Sequence, residues 1–193
     1  MTPFPFNGDY FYPPRTDASC GFKADNATIR MWMEFPDAVA QLKANGDRCM
    51  IFISPDRKIA LYTRHRYRDT QIAHEDHQDN DPVPQNYELT PELRQEILAL
   101  APEGFWAVFD AELLHKRVSD TPTLKNVLML FDVLVWKAQH LFDSSYAERY
   151  SILLQTFRER YGHECPIPMR EAEIKPNSLY LAQNILAADW AAR

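Results

Sequence analysis

FWAVFDAELL at residues 105–114 and VLMLFDVLVW at residues 127–136 are two nearly unbroken apolar runs. Both are rich in β-branched and aromatic side chains, which fit strands well. A strand that is apolar on both faces is normally covered on both sides by other parts of the protein. The two runs therefore predict two buried strands.

A β-hairpin is predicted upstream of these runs. Residues 49–54 (CMIFIS) have the composition of a strand, and residues 55–58 (PDRK) are typical of a turn. Residues 59–64 are predicted to form the returning strand. The next segment, residues 65–88, is polar and contains two prolines. It predicts a long surface loop.

Two helices are predicted from the signals at their ends. Thr90 is a good N-cap and Pro91 suits the first helical position, which predicts a helix over residues 90–100. A second helix is predicted from about residue 145 to residue 161, because its apolar side chains recur at helical spacing. Gly162 follows it at the expected C-cap position.

The end of the chain predicts one more strand, at residues 178–183, and then a helix-like pattern over residues 185–193. The resulting order of elements is β-β-α-β-β-α-β. Such an order indicates an α+β fold with mostly antiparallel sheets and flanking helices.

Composition limits the class of protein. The chain has 193 residues, 46% of them hydrophobic and 25% charged, and it contains no apolar run of membrane-spanning length. Its three widely spaced cysteines predict neither a zinc site nor a disulfide framework, which favours a reducing cytoplasm. The net charge of -6 argues against strong non-specific binding to nucleic acid by this chain alone. A local basic stretch is still present, formed by Arg57, Lys58, Arg64, Arg66 and Arg68.

The segment QLKANGDR at residues 41–48 lies directly before the first predicted strand. Lys43 stands three residues before Gly46 and five before Arg48. We expect the glycine to let the backbone turn so that the lysine points over a pocket. A lysine amine is a nucleophile when its surroundings keep it neutral, and a guanidinium binds ribose or phosphate. The alternative interpretation is an ordinary surface turn before a strand.

Three other groups of polar residues are possible site residues. Glu112 lies inside an apolar run, where a carboxylate is costly unless it has a partner, so it is the more telling candidate. Asp132 is interpreted as a strand-end hydrogen-bonding residue rather than a functional acid. His65, His74 and His77 match no standard metal-ligand spacing and predict a solvated loop.

The segment KANGDR at residues 43–48 resembles the Lys-x-Asp-Gly-x-Arg motif of the covalent nucleotidyltransferases, the superfamily of DNA ligases, RNA ligases and capping enzymes. Asn45 stands where the family has aspartate. The rival segment at residues 23–26 (KADN) keeps an aspartate but lacks the glycine and the arginine, so Lys43 is preferred to Lys23.

Three further blocks follow in the family's order. Thr63-Arg64 resembles a motif whose arginine contacts the nucleotide. FDAEL at residues 109–113 resembles the Asp-Gly-Glu-Leu block, with Ala111 in place of glycine. LFDVL at residues 130–134 resembles the block whose aromatic residue packs on the nucleobase. For Phe131 in this block, plain core packing is the alternative interpretation.

The resemblance implies a mechanism and a set of site residues. Lys43 would attack ATP and form a lysyl-AMP intermediate, with a divalent metal, Mg2+, neutralising the triphosphate. Glu112 would also serve as a metal ligand. The implied nucleotide-binding residues are Gln41 at the adenine edge, Leu42, Arg48, Arg64, Glu112, and Phe131 stacked on adenine.

The resemblance also implies an organisation and a substrate. Residues 1–27 would form an N-terminal arm, and residues 28–193 the front portion of a ligase-type adenylation domain with an incomplete, ATP-grasp-like core. Nicked DNA, or less readily RNA, would be sealed, as in replication and repair. Two later family motifs, a Glu-Gly block and a lysine pair, are not found. The chain is therefore expected to be truncated, completed by a second chain, or a catalytically inactive accessory protein.

Overall fold

The computed structural model describes residues 27, 30, 31, 34, 35, 39–41, 46–63, 83, 84, 89–114, 126–168 and 174–186. Within them lie the strands β1 (Val39–Gln41), β2 (Asp47–Ile53), β3 (Ile59–Thr63), β4 (Val83–Pro84), β5 (Ala107–Leu114), β6 (Val127–Trp136), β7 (Gln139–His140), β8 (Ser178–Leu181) and β9 (Asn184–Leu186). The helices are α1 (Pro91–Leu100), α2 (Tyr146–Tyr161) and a short 3-10 helix (Gly162–Glu164).

Seven of these strands form one sheet in the order β4-β3-β2-β5-β6-β7, with β8 also paired to β6. Every neighbouring pair in this sheet is antiparallel except β6 and β8, which are parallel. β1 and β9 pair separately as an antiparallel two-stranded ribbon. The predicted α+β fold with mostly antiparallel sheets is thus confirmed.

One face of the large sheet packs against the two helices. Side chains in a strand alternate between the two faces of the sheet, so every second strand residue points to this side. Helix residues spaced three or four apart pack against them. The main core contains Cys49, Ile51, Ile53, Phe109, Ala111 and Leu113 from β2 and β5, with Leu93, Ile97 and Leu100 from α1 and Tyr150, Leu153 and Phe157 from α2. Each large apolar side chain buried here contributes roughly 1.5–3 kcal/mol.

The opposite face carries two smaller apolar clusters. One contains Met50, Phe52, Val108, Leu134 and Val135. The other contains Leu114, Val127, Met129, Ile174, Tyr180 and Ala182. On β5, Val108 belongs to the first cluster and Leu114 to the second, and the carboxylates of Asp110 and Glu112 occupy the two positions between them. This face therefore has a polar centre between apolar ends.

The predicted helix ends are confirmed. The Thr90 hydroxyl oxygen accepts a hydrogen bond from the backbone of Leu93, with Pro91 in the first turn. Ser145 and Glu148 form a reciprocal capping box at the start of α2. Gly162 ends α2 with φ of 61°, a backbone conformation that favours glycine.

The hairpin of β2 and β3 is confirmed and is connected to α1. Arg57 lies in its turn with φ of 65°. The guanidinium donates to the carbonyl oxygens of Leu98, in the last turn of α1, and Ala101, just beyond its end. A cation is favourable at that point because the last carbonyls of a helix have no partners within it.

Two local predictions were wrong. Ile185 and Leu186 belong to β9 rather than to a helix, because β1 supplies a backbone partner that lies far away in sequence. Val83 and Pro84 pair with β3 as β4, within a segment predicted to be loop. The rest of residues 64–82 and 85–88, the arm at residues 1–26, and residues 187–193 lie outside the described part of the chain. None of the helices that are described is long and apolar enough to cross a membrane.

Replacing Ser145 by alanine tests the capping box. The variant loses the hydroxyl oxygen that accepts from the Glu148 backbone N–H, whereas the backbone N–H of residue 145 can still donate to the Glu148 carboxylate. We expect the free energy of unfolding to fall by ~1 kcal/mol in urea denaturation. Ser151→Ala is the control, because Ser151 is exposed in the middle of the same helix. An equal loss in both variants would contradict a specific capping role.

Candidate functional site

A buried ion pair lies at the polar centre of the sheet. Arg48 Nε donates to Asp110 Oδ1 at 2.9 Å, and Arg48 Nη2 donates to the other carboxylate oxygen. The Asp110 side chain is fully buried, whereas 30% of the Arg48 side chain is exposed. Burial raises the pKa of Asp110, and the guanidinium opposes that shift. A carboxylate in this position requires such a partner.

The guanidinium of Arg48 also lies over the ring of Phe131, 5.4 Å from the ring centroid. Phe131 is half-buried at the edge of an apolar cluster. The pairing of β5 and β6 shifts register here: Asp110 is opposite Asp132 and Ala111 is opposite Leu130, so Phe131 has no opposite residue. Bulges of this kind re-aim a side chain and are frequent next to functional sites.

Glu112 holds the start of β2. Gly46 N donates to Glu112 Oε1 at 2.8 Å. Burial raises the pKa of Glu112, and the bond from Gly46 and the charge of Arg48 oppose the rise. The predicted partner for this carboxylate is therefore present, as a backbone amide beside the lysine motif.

The expected reason for Gly46 was wrong. Among the glycines of the described residues, Gly104 and Gly162 have positive φ, and Gly46 does not. A Cβ atom at Gly46 would instead overlap the carbonyl oxygen of Leu113 and lie 2.9 Å from Leu114 Cδ2. The glycine is needed for close approach of two backbones rather than for a turn.

A second polar network begins at Gln41, the last residue of β1. Gln41 Nε2 donates to the Tyr146 hydroxyl oxygen at 2.7 Å and to Asn184 Oδ1 at 2.6 Å. The Tyr146 hydroxyl lies 3.1 Å from both the Phe131 carbonyl oxygen and Asn184 Oδ1. This network connects the residue that precedes Leu42 and Lys43 to the bulge at Phe131.

Asp132 has a structural partner. Arg149 Nε and Nη2 donate to its two carboxylate oxygens at 2.9 Å and 2.8 Å, and Val133 N donates to it at 2.8 Å. Arg149 Nη1 also donates to the Ser144 carbonyl oxygen at 2.7 Å. The hydrogen-bonding interpretation of Asp132 fits this arrangement, which joins the first turn of α2 to β6.

Of the predicted site residues, the structure brings together Gln41, Arg48, Glu112 and Phe131. Leu42, Lys43 and Arg64 lie outside the described residues, as do His65, His74 and His77. Sequence reasoning missed Asp110, Tyr146 and Asn184. Asp110, like Glu112, is a carboxylate in an apolar run, so its need for a partner could have been predicted from the sequence. Nothing local pointed to Tyr146 or Asn184. In the part of the chain that is described, no three His, Cys, Asp or Glu side chains cluster as a metal site.

Comparison with known families gives one match. The model of a family described as "ATP dependent DNA ligase domain" matches residues 24–173, more than three quarters of the chain. The matched range includes the lysine motif, the Arg48–Asp110 pair and the bulge at Phe131. No curated protein matches the chain.

Replacing Gly46 by alanine tests the close approach of β2 and β5. The new methyl group has to displace the Leu113 backbone, and overpacking of this kind costs ~1–3 kcal/mol. We expect that loss in urea unfolding, with weaker hydrogen-exchange protection of the Cys49 amide. Gly162→Ala is the comparison. Gly162 has a positive φ, but no atom lies within 4 Å of the position of a new methyl group. This variant should therefore lose stability without weakening the hydrogen-exchange protection of Cys49. A Gly46→Ala variant as stable as the wild type would contradict the close approach.

A pH dependence follows from Glu112. Because burial raises its pKa, the folded chain holds this proton to higher pH than the unfolded chain, where the pKa is 4.5. The favourable contribution is complete below that value and is lost as the pH rises through the raised pKa. Glu112→Gln does not titrate and keeps an oxygen for Gly46. We expect its free energy of unfolding, relative to wild type, to rise as the pH increases above 4.5. The control is Glu103→Gln at an exposed position; an equal slope there would contradict the prediction.

Proposed function

This chain belongs to the family of ATP-dependent DNA ligase domains, and we propose on that basis that Lys43 accepts AMP from ATP as a covalent intermediate. Family membership indicates a ligase-like nucleotidyltransferase that uses ATP and acts on nucleic acid. The formation of lysyl-AMP and the sealing of nicks are our proposals for this chain.

The observation that carries the proposal is the anchoring of the lysine segment at both ends. Gln41 is bonded to Tyr146 and Asn184 on one side, and Gly46 is bonded to Glu112 on the other. Lys43 lies between these two anchored residues in the sequence. The anchors themselves are beside the candidate site, because Tyr146, the partner of Gln41, also bonds the Phe131 carbonyl oxygen, and Gly46 bonds Glu112.

The chemistry requires Lys43 to be a neutral amine. Its nitrogen attacks the α-phosphorus of ATP, a P–N bond forms, and the P–O bond to pyrophosphate breaks. The amine proton passes to solvent. A cationic neighbour such as Arg48 lowers the pKa of a lysine and so favours the neutral form.

The remaining residues would hold the nucleotide. Asp110 fixes the guanidinium of Arg48, which would then bind ribose or phosphate as a preoriented group. Phe131 would stack on adenine with the face of its ring that is turned away from Arg48. Gln41 would read the edge of the base. Leu42 and Arg64 enter the proposal through the family resemblance.

The donor set also fits Mg2+, which takes one or two carboxylates and completes its shell with water and substrate phosphates. Glu112 would be the protein ligand, because Asp110 is engaged by Arg48. The bound ion would neutralise charge on the triphosphate as pyrophosphate leaves.

The whole reaction would be the ATP-dependent sealing of nicked DNA, with RNA as the alternative polynucleotide, during replication or repair in the cytoplasm. Residues 28–193 would supply the front portion of an ATP-grasp-like adenylation domain, and residues 1–27 an arm. A second chain or a further segment would supply the Glu-Gly block and the lysine pair. The free cysteines of the described residues, Cys49 and Cys165, suit a reducing compartment.

The second candidate is a ligase-like accessory protein without catalysis. It is favoured by two departures from the family pattern, Asn45 for aspartate and Ala111 for glycine. The Ala111 side chain belongs to the helix-packed core and not to the face that carries Arg48 and Asp110. Alanine in place of glycine at position 111 therefore leaves the candidate site unchanged. The non-catalytic candidate is then supported mainly by Asn45.

Intact-mass analysis after incubation with ATP and Mg2+ tests the proposal. We expect one AMP adduct, mapped by peptide digestion to Lys43. Lys43→Arg keeps the positive charge but removes the nucleophile, so the adduct should disappear while the fold is retained. Chelation of the metal should also prevent its formation.

Lys23→Arg is the matched control, because Lys23 begins the rival KADN segment at residues 23–26. Its adduct should equal that of the wild type. An adduct that persists in Lys43→Arg would contradict the assignment of the nucleophile. No adduct in the wild type, with ATP still bound, would favour the non-catalytic candidate.

A further inference from the structure

The amide of Gln41 has both of its N–H groups in use. Gln41 Nε2 approaches the Tyr146 hydroxyl oxygen at 2.7 Å and Asn184 Oδ1 at 2.6 Å. A primary amide has two donor hydrogens and one acceptor oxygen. With both hydrogens directed at these partners, Oε1 is the atom that Gln41 can offer to a ligand.

The orientation of this amide matches the acceptors around it. The carbonyl of Phe131 can only accept, and the Tyr146 hydroxyl lies 3.1 Å from it. The single phenolic hydrogen therefore goes to that carbonyl or to Asn184 Oδ1, both of which are acceptors. In this arrangement the phenolic oxygen accepts from the Gln41 nitrogen. Flipping the Gln41 amide alone would place its oxygen against Asn184 Oδ1, a second acceptor.

We propose that Tyr146 and Asn184 are positioning residues that present Gln41 Oε1 as an acceptor, so that the site selects 6-amino purine nucleotides over 6-oxo purine nucleotides. The inference rests on the proposed function only in placing the base beside Phe131 and Gln41. It assigns no chemistry to Lys43.

Base selection follows from hydrogen-bond polarity. The 6-amino group of adenine donates to Oε1, whereas the 6-oxo group of hypoxanthine or guanine would face it with a second acceptor. An unheld glutamine would rotate its amide and donate to the oxo group, with no preference between the bases. Discrimination therefore depends on the groups that stop the amide from rotating.

Tyr146 is itself held in place. Its ring lies 5.8 Å from the guanidinium carbon of Arg149, which is bonded to Asp132. Burial raises the pKa of Tyr146 to about 12, so the hydroxyl keeps its hydrogen at neutral pH. The donor that fixes the network is thus present throughout the physiological range.

Equilibrium binding of the α,β-methylene analogues of ATP and inosine triphosphate tests the inference. These analogues cannot release pyrophosphate, so the measurement is independent of Lys43 chemistry. We expect the wild type to prefer the adenine analogue by ~10-fold, the order expected when one acceptor is left facing another at a solvent-accessible site. In Tyr146→Phe the ratio should fall severalfold, because Asn184 Oδ1 is then the one remaining partner that opposes rotation of the amide.

Two variants separate positioning from general damage. Tyr161→Phe also removes one hydroxyl from α2, but that hydroxyl is bonded to Glu96 on α1, so the ratio should stay at the wild-type value. The double variant Gln41→Glu/Tyr146→Phe should regain the preference for adenine, since a carboxylate has no N–H to present.

The outcomes distinguish this inference from the proposed function. Equal binding of the two analogues by the wild type, or an unchanged ratio in Tyr146→Phe, would overturn the inference whether or not Lys43 takes up AMP. A ratio that falls in Tyr146→Phe and returns in the double variant would support it, even if no adduct forms on Lys43.

Discussion

Two buried aspartates face each other at the centre of the large sheet, and each needs its own arginine. Asp110 on β5 is opposite Asp132 on β6. Arg48 reaches the first from β2, and Arg149 reaches the second from α2. The charge of Asp132 adds to the effect of burial on Asp110, so loss of either guanidinium would leave two carboxylates close together at low dielectric. This constraint fixes the position of Arg48 and the docking of α2 together.

The two faces of the large sheet differ in polarity and in what they pack against. The helix-packed face contains the main core, and the other face has the polar centre between two apolar clusters. The side chains of Arg48, Asp110 and Glu112 project from strands paired along seven residues, so their backbone has little freedom to move. Sites on such rigid elements are held more precisely than sites on loops.

Local chemistry made part of this structure predictable. The hairpin, both helices with their caps, and the strands of the two apolar runs depend on neighbouring residues, and sequence analysis identified them. The strands β1, β4 and β9 have two or three residues each, and backbone partners distant in sequence create them. In the site, Glu112 was predictable from sequence because a buried carboxylate needs a partner. The close approach at Gly46 and the contacts of Tyr146 were not predictable, because they depend on tertiary packing.

The ribbon of β1 and β9 has a kinetic consequence. Gln41 and Asn184 are 143 residues apart, and each strand has only three residues. A short two-stranded ribbon is marginal by itself, and closing so long a loop has an entropic cost that only a preformed sheet can offset. Among the strands that the structure describes, we therefore expect the ribbon to assemble last and open first. Gln41 can leave and rejoin the candidate site by local opening while the seven-stranded sheet stays folded.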